Sequence, residues 1–380
     1  MKKYIAVLGR QPRISIAELE ALFVNVCQVA PALAEFESEH MPNINRLGGT
    51  LKIAQPIKLD TFLGNIPKNG KITLGVSDFT PHTTPYNAQG EAIKIKRKLA
   101  KSGRSVRIIP NKTAVLSSAT SLHNHLFAEN KIELLKNGKN FYQVIQLSNI
   151  EGYAKRDQKR PARDAKVGML PPKLAQILIN LCGDLPTGAH ILDPFCGTGV
   201  LLQEATLMGY TPYGTDISER MVEYTERNLK WLSGERGNLT FSELSVDSPS
   251  KKQPTISQGD ATNFQWNPPI DAVACETYLG PPMSNPPVEI KLRSVKEECK
   301  TIILGFLKNL SPQIEVGTPV VIAVPAWLRP NGQYARLLNI DEITNLCYNV
   351  ISFKNLGQDD LLYHRAGQVV AREIIVLRKK

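Results

Sequence analysis

The order of apolar and polar positions predicts alternating strands and helices along most of the chain. KKYIAVL (residues 2–8) reads as a strand, and Ser15 followed by Glu18 and LEALF reads as a capping box opening a helix. Strand-like runs follow in RLGGTLKIAQPI (46–57) and KITLGVSDF (71–79). GEAIKIKRKLAKSG then predicts a helix ending near Gly103, with Ile93, Ile95 and Leu99 among Lys94, Lys96, Arg97, Lys98 and Lys101. A strand at Val106–Ile109 comes next, then a helix in LSSATSLHNHLF, the Asn137-Gly138 turn and an apolar strand ending near Leu147. YAKRDQKRPARDAK (153–166) is polar and basic enough to predict an exposed linker between domains.

PPKLAQILINL has prolines at its start and helical apolar spacing. From residue 189 the pattern becomes regular: a strand at Ala189–Asp193, a helix to Met208, a strand at Thr211–Asp216 and a helix through Leu232. This alternation predicts a doubly wound α/β sheet. Residues 245–258 (SVDSPSKKQPTISQ) read as a Ser/Pro/Lys-rich loop. Strands are expected again at Ala272–Cys275 and Val320–Val324, with a helix at Val295–Leu310 between them. Near the end, Ala366-Gly367 is placed to turn between Leu361–His364 and Arg372–Leu377.

The 380 residues exceed one ordinary core and predict two or three domains. No apolar run reaches the roughly 18 residues that span a bilayer, so a soluble protein outside membranes is expected. The start continues directly into helix-like pattern without a small-residue cleavage site and reads as folded. Six cysteines without a C-x-x-C pair indicate neither a disulfide framework nor a zinc site, and fit the reducing cytoplasm. His123 and His125, two apart on an expected helix, point to different faces and predict no metal role.

The net charge of +11 gains meaning from its distribution. Residues 1–166 hold 26 Lys and Arg against 13 Asp and Glu, while residues 167–380 hold 20 against 22. A basic N-terminal part suits a phosphate backbone, and it is separate in sequence from the motifs that carry chemistry.

Those motifs begin at ILDPFCGTGV (191–200), a strand ending at Asp193 that enters a helix through Gly197 and Gly199. Glycines there permit a tight turn and a close approach of backbone to a ligand. No Lys-Ser or Lys-Thr follows, and the third glycine of a dinucleotide fingerprint is missing. The loop therefore suits a cofactor without phosphate, S-adenosylmethionine, whose cationic methionine end sits near Asp193. Asp216 closes the next strand in YGTDIS, 23 residues on, where a carboxylate accepts both ribose hydroxyls. Gly259-Asp260-Ala261 forms a third loop, with Asp260 placed for the adenine amine. The expected cofactor set is Asp193, Pro194, Phe195, Cys196, Gly197, Gly199, Asp216, Ile217, Asp260 and Ala261.

DPFCGTG, TDIS and GDA resemble the methyltransferases that modify exocyclic amino groups of nucleobases. With LSSA (116–119), His123-Asn124, RDQKRPARDAKVGML (156–170) and the terminal YHRAGQVVAREIIVL, the chain resembles the THUMP-containing tRNA (guanine-10-N2)-methyltransferases of archaea and eukaryotes. The resemblance implies an N-terminal ferredoxin-like α+β domain at 1–60 and a THUMP domain holding the tRNA at 61–152. A linker at 153–168 and a Rossmann-like class I methyltransferase domain at 169–380 complete the implied fold. Such enzymes carry Asp-Pro-Pro-Tyr after the fourth strand, whereas here DAVAC is followed by ETYLGPP. Glu276 takes the place of the acid that holds the target amine, and Thr277 and Tyr278 replace the prolines. Tyr278 or Pro281 is then the expected stacking face. The implied product is N2-methylguanosine or its dimethyl form. Competing readings are another RNA or DNA base amine, a small-molecule methyltransferase with an unrelated basic module, and a tRNA-binding protein whose site has decayed.

Overall fold

The computed structural model of the chain describes residues 1–67, 69–164, 169–233, 254–267, 269–357 and 360–380. They form two compact units, Met1–Asn45 with Gly49–Glu151, and Arg46–Gly48 with Gly152–Lys380.

The first unit contains β1 (Lys2–Leu8), α1 (Pro12–Leu22), β2 (Val24–Ala30), β3 (Leu33–Ser38), β4 (Thr50–Ile57) and α2 (Leu59–Gly64). It continues through β5 (Ile72–Asp78), α3 (Pro85–Lys101), β6 (Val106–Ile108), α4 (Ser118–His123), β7 (Lys131–Asn137) and β8 (Asn140–Leu147). These strands make one sheet in the order β2-β3-β1-β4-β8-β7-β5-β6. The sheet crosses the expected boundary at residues 60 and 61, because β4 pairs with β8 from Lys52↔Leu147 to Ile57↔Phe141. Helix α3 buries Ala92, Ile95 and Leu99 against Ile72, Leu74 and Val106, leaving its lysines exposed. Thr84 caps it through a bond from the Asn87 amide, so it starts well before the expected position.

Two local expectations are corrected here. Pro12 at the first helical turn starts α1 earlier, which places Ser15 and Glu18 inside the helix. Glu18 Oε2 instead accepts the Gly49 amide at 2.8 Å. His123 ends α4, and His125 lies beyond it at φ 52°, so the two do not share a helix.

The core of this unit holds a charged pair. Lys52 Nζ donates to Glu133 Oε1, to Leu116 O and to Ser121 Oγ, the last two at 2.9 Å, while Ser77 Oγ donates to the same Glu133 oxygen at 2.6 Å. Lys52 and Glu133 have almost no solvent contact, and each needs the other to offset its desolvation.

The second unit takes in α5 (Ile150–Gln158) from Gly152 onward, α6 (Pro172–Asn180), β9 (His190–Asp193), α7 (Val200–Leu207), β10 (Thr211–Asp216) and α8 (Glu219–Leu232). It then has β11 (Thr255–Gln258), β12 (Ala272–Glu276), α9 (Glu289–Leu310), β13 (Pro319–Leu328) and β14 (Tyr334–Ala335). α10 (Ile340–Thr344), β15 (Tyr348–Val350), β16 (Leu362–Tyr363) and β17 (Val370–Lys379) complete it. The main sheet runs β11-β10-β9-β12-β13-β17-β15, parallel from β11 to β13, with β17 antiparallel to both its neighbours. This is a Rossmann-like α/β sheet whose last strand, β17, is reversed. β13 is buried along nearly its whole length, as a central strand covered on both faces must be. Leu292, Val295, Cys299, Ile303, Phe306 and Leu310 make one apolar stripe of α9 within that core.

The expected linker is folded in its described part. Residues 150–158 are helical, and Tyr153, Arg156, Arg160 and Ala162 are buried. The basic composition misleads because Arg156 is consumed inside the unit: its Nε donates to Glu204 Oε1 at 2.6 Å. Residues 165–168 of that linker lie outside the described residues, as do residues 245–253 of the expected Ser/Pro/Lys loop. The remainder of that loop is corrected, since Thr255–Gln258 pairs in parallel with β10 as β11.

Replacing Glu133 by Ala strands the Lys52 charge and is expected to cost about 3–5 kcal/mol of stability by urea unfolding. The double replacement Lys52→Met with Glu133→Leu is expected to recover most of that loss, and a single variant as stable as the parent would contradict the pairing.

Candidate active site

The order of strands reverses between β9 and β12, where α/β sheets open a crevice at the strands' carboxyl ends. Asp193 ends β9, Asp216 ends β10 and Glu276 ends β12, so three acidic residues face one crevice from adjacent strands.

The loop between Asp193 and α7 is held by backbone and by α8. Cys196 N donates to Thr215 O at 2.9 Å, and Gly199 N donates to Cys196 O at 2.7 Å. Thr225 Oγ1 donates to Gly197 O and Asn228 Nδ2 to Thr198 O, both at 2.8 Å. Gly197 (φ 53°) and Gly199 (φ 77°) lie in the left-handed region. A Cβ on Gly199 would come within 2.8 Å of Thr225 Cγ2, whereas one on Gly197 would meet nothing nearer than Phe195 O at 3.9 Å. Gly199 is thus required by packing as well as by turn, and the backbone at Gly197 is left open to a ligand.

Asp216 binds across the loop. Its Oδ2 accepts the Gly197 amide and its Oδ1 the Ser218 amide, each at 2.9 Å, and its carbonyl accepts Gly259 N at 2.9 Å. Asp216 therefore ties the first loop to the third. In that third loop Asp260 Oδ1 accepts from the amide of Thr262 at 2.9 Å and from its hydroxyl at 2.8 Å. Ile217 is 68% exposed, an unusual state for isoleucine and one that presents an apolar face beside Asp216.

Asp193 is 3% exposed, and burial raises its carboxyl well above the ordinary range, against the bond from the Phe195 amide and with help from Asp216 and Glu276. Burial also raises Asp216, opposed by the amides of Ser218 and Gly197. A buried acid surrounded by acids is a receptor for positive charge. The open glycine backbone, the exposed Ile217 and this acidic centre fit S-adenosylmethionine, which offers hydroxyls, an aromatic face and a cationic end.

Other expected residues face inward. Phe195 packs edge-on against Phe306 at 5.2 Å, and Cys196 is buried with Leu202 and Leu229. Pro194 and Ala261 contribute backbone: their carbonyls accept from Thr215 Oγ1 and from Asn309 Nδ2. Thr277, expected at the reaction centre, is turned into the sheet, its amide and hydroxyl both on Ala323 O at 3.0 and 3.2 Å. Tyr278 is likewise drawn away from the role of stacking face. Its ring packs on the α9 core, its hydroxyl donates to Glu298 Oε1 at 3.1 Å, and burial pushes that hydroxyl up to about 12.

Glu276 has a partner that its motif does not disclose. Arg372 on β17 donates through Nε to Glu276 Oε1, and both side chains are largely buried. The pairing follows from register: Glu276 lies opposite Ala323 on β13, and Pro325, two residues on, lies opposite Arg372. Arg372 also lines a cleft of about 710 Å³ with Gln158, Arg163, Met169, Tyr363, Arg365 and Gln368. Gly214, Thr225, Asn228 and Arg372 are the positions sequence reading missed. Only Gly214 left a local trace, and its reason is distant: a Cβ there would lie 2.4 Å from Leu202 Cδ1.

Among the described residues no group of three or more His, Cys, Asp or Glu is placed to hold a metal ion, and no helix is long and apolar enough to cross a membrane.

Residues 159–247 match the family model described as UPF0020, RMKL-like, methyltransferase domain. Over 161 residues the chain is 31% identical to a tRNA (guanine(10)-N2)-dimethyltransferase of Methanothermobacter thermautotrophicus, covering 42% of this chain and 40% of the relative. A protein of the same description from Pyrococcus abyssi is 48% identical over 62 residues, 16% of this chain and 18% of its own. The aligned stretches thus span less than half the length of these curated relatives. The crystal structure of TrmN from Thermus thermophilus aligns over 100% of both chains at 17% identity with a TM-score of 0.47.

Asp193→Asn tests the electrostatics. A carboxyl raised in the folded state contributes stability that is fully present below the ordinary carboxylate range and lost as pH rises through its folded value. The ligand-free Asn variant is therefore expected to melt roughly 2–4 °C above the parent at pH 7 and level with it near pH 3. A thermal midpoint lowered at pH 7 would contradict this.

Proposed function

We propose, on the premise that residues 159–247 carry an RMKL-like methyltransferase domain, that the chain is an S-adenosylmethionine-dependent methyltransferase acting on the N2 amine of guanosine in tRNA, at position 10. The observation that carries this reading is the set of three carboxylates at the switch point, beside a loop with open glycine backbone. The named activity of the curated relatives supports the choice of tRNA and of guanine N2.

In this reading Asp216 accepts the ribose hydroxyls, Ile217 covers the adenine, Asp260 takes its amine, and Asp193 faces the cationic end. S-adenosylmethionine, when bound, would supply a methyl group on a sulfonium: the new N–C bond forms as the S–C bond breaks, S-adenosylhomocysteine leaves, and the methylated amine sheds its proton to solvent. What remains for the protein is positioning. An exocyclic guanine amine is a weak nucleophile because its lone pair is delocalised into the ring. An acceptor that holds its hydrogens favours the pyramidal form that attacks. Arg372 fixes Glu276 through Oε1 and leaves Oε2 to accept from that amine. The cleft beside Arg372, with Tyr363 and three arginines, has the size and donors to receive a nucleotide taken out of its stack.

The N-terminal unit supplies the grip on RNA. We assign residues 1–60 to a ferredoxin-like element and residues 61–152 to a THUMP element, the two sharing one sheet, and place the protein in the cytoplasm. The exposed basic face of α3 is the first candidate for phosphate contact.

Single-turnover transfer of labelled methyl to tRNA tests the assignment of Glu276. Glu276→Ala is expected to slow transfer about 100- to 1,000-fold with unchanged tRNA affinity. Unchanged transfer by that variant would remove Glu276 from the mechanism, and absence of transfer by the parent would favour a binding protein with a decayed site. Replacing Lys96, Arg97 and Lys101 together by Gln is expected to reduce the salt dependence of tRNA binding by roughly 0.7–0.9 in slope for each phosphate no longer neutralised. An unaltered slope would exclude α3 from the RNA-binding face.

A further inference from the structure

Arg160 is 3% exposed, and among the described residues its Nε, Nη1 and Nη2 have no hydrogen-bond partner. A guanidinium stays charged at any physiological pH and offers five donors, so burying one without an acceptor is costly. Its neighbours do not meet the need. Glu204 is bound by Arg156 through Nε at 2.6 Å and Nη2 at 3.2 Å, and by Gln176 Nε2 at 2.9 Å. Asp157 and Glu204 act on Arg160 only through their fields, and Arg163 opposes them. The same burial lowers the guanidinium's proton affinity from its ordinary value.

Both flanks of Arg160 are tied to the loop proposed to hold the cofactor. Four residues before it, Arg156 is bonded to Glu204, on the helix that the glycine loop opens. Two residues after it, Ala162 exchanges bonds with Asn228 at 3.0 and 2.9 Å, and the same Asn228 amide donates to Thr198 O between the two glycines. A cation so placed and left unpaired is a receptor for an oxyanion that arrives with a ligand of that loop.

We propose that Arg160 binds the carboxylate of the cofactor's amino-acid end, an inference that rests on the S-adenosylmethionine reading above. Asp193 then faces the cationic groups of that end and Arg160 its anionic group, so the two buried residues read opposite charges on one zwitterion.

The test is calorimetric titration of the full chain and its Arg160→Met variant with two probes. S-adenosylhomocysteine carries the amino-acid end, and 5′-deoxy-5′-methylthioadenosine lacks it. Arg160→Met is expected to weaken binding of the first roughly 10- to 100-fold and to leave the second unchanged. Its thermal midpoint without ligand is expected to equal or exceed that of the parent, because an unpaired buried charge is removed. Arg160→Lys keeps the charge and is expected to show an intermediate loss for S-adenosylhomocysteine alone. Equal losses for both probes, no loss for either, a lowered midpoint, or a loss confined to tRNA affinity would each overturn the proposal; the last would assign Arg160 to an RNA phosphate. A parent chain that binds neither probe would instead sink the cofactor reading from which the inference starts.

Discussion

The second unit depends on keeping acidic side chains out of water at the point where its sheet changes direction. Asp193, Asp216 and Glu276 end neighbouring parallel strands, and burial with mutual repulsion raises Asp193 well above the ordinary carboxylate range. Such a centre is unfavourable in an empty protein and favourable around a cation, a trade between stability and binding that functional sites make. The surrounding structure offsets part of the cost. Amides of Phe195, Gly197 and Ser218 point at the first two carboxylates, and Arg372 reaches Glu276 from a strand two places away in the sheet.

The same economy of buried charge recurs through the chain. Lys52 with Glu133 in the first unit and Arg156 with Glu204 in the second are paired and hydrogen-bonded on several sides. Against that pattern Arg160 stands apart: its side chain is buried, Asp157 and Glu204 act on it only through their fields, and among the described residues none accepts a hydrogen bond from it. That contrast is the ground on which we assign Arg160 to a ligand. Most of the surplus positive charge lies in the N-terminal unit, where Lys96, Arg97 and Lys101 of α3 are exposed to a polyanion.

The doubly wound unit was legible in the sequence because each strand is short, apolar and followed by a helix with its own periodicity, as in Ile191–Leu192 ahead of Gly197 and Gly199. The three strand-end acids were legible for the same reason. Less was visible where distant segments decide the outcome. YAKRDQKR looks solvated until Glu204, 48 residues away, takes up Arg156. Arg372 looks like an ordinary strand residue until β17 pairs beside β13 and brings it to Glu276, 96 residues earlier in the chain. Thr277 and Tyr278 sit where a family motif leads one to expect reactive groups, yet each has a hydrogen-bond partner in the fold that spacing does not reveal. Residues 1–60 and 61–152 read as separate domains because the β4–β8 ladder that joins them links positions about 90 residues apart in sequence.

The proposed reaction is transfer of a methyl group to guanine N2 in tRNA at the carboxyl ends of β9, β10 and β12. Mass spectrometry of nucleosides from unmodified tRNA incubated with the purified chain and S-adenosylmethionine tests it most directly. The expected product is N2-methylguanosine or N2,N2-dimethylguanosine mapped to position 10. Methylation of an adenine amine, or of small molecules with tRNA left unchanged, would contradict it.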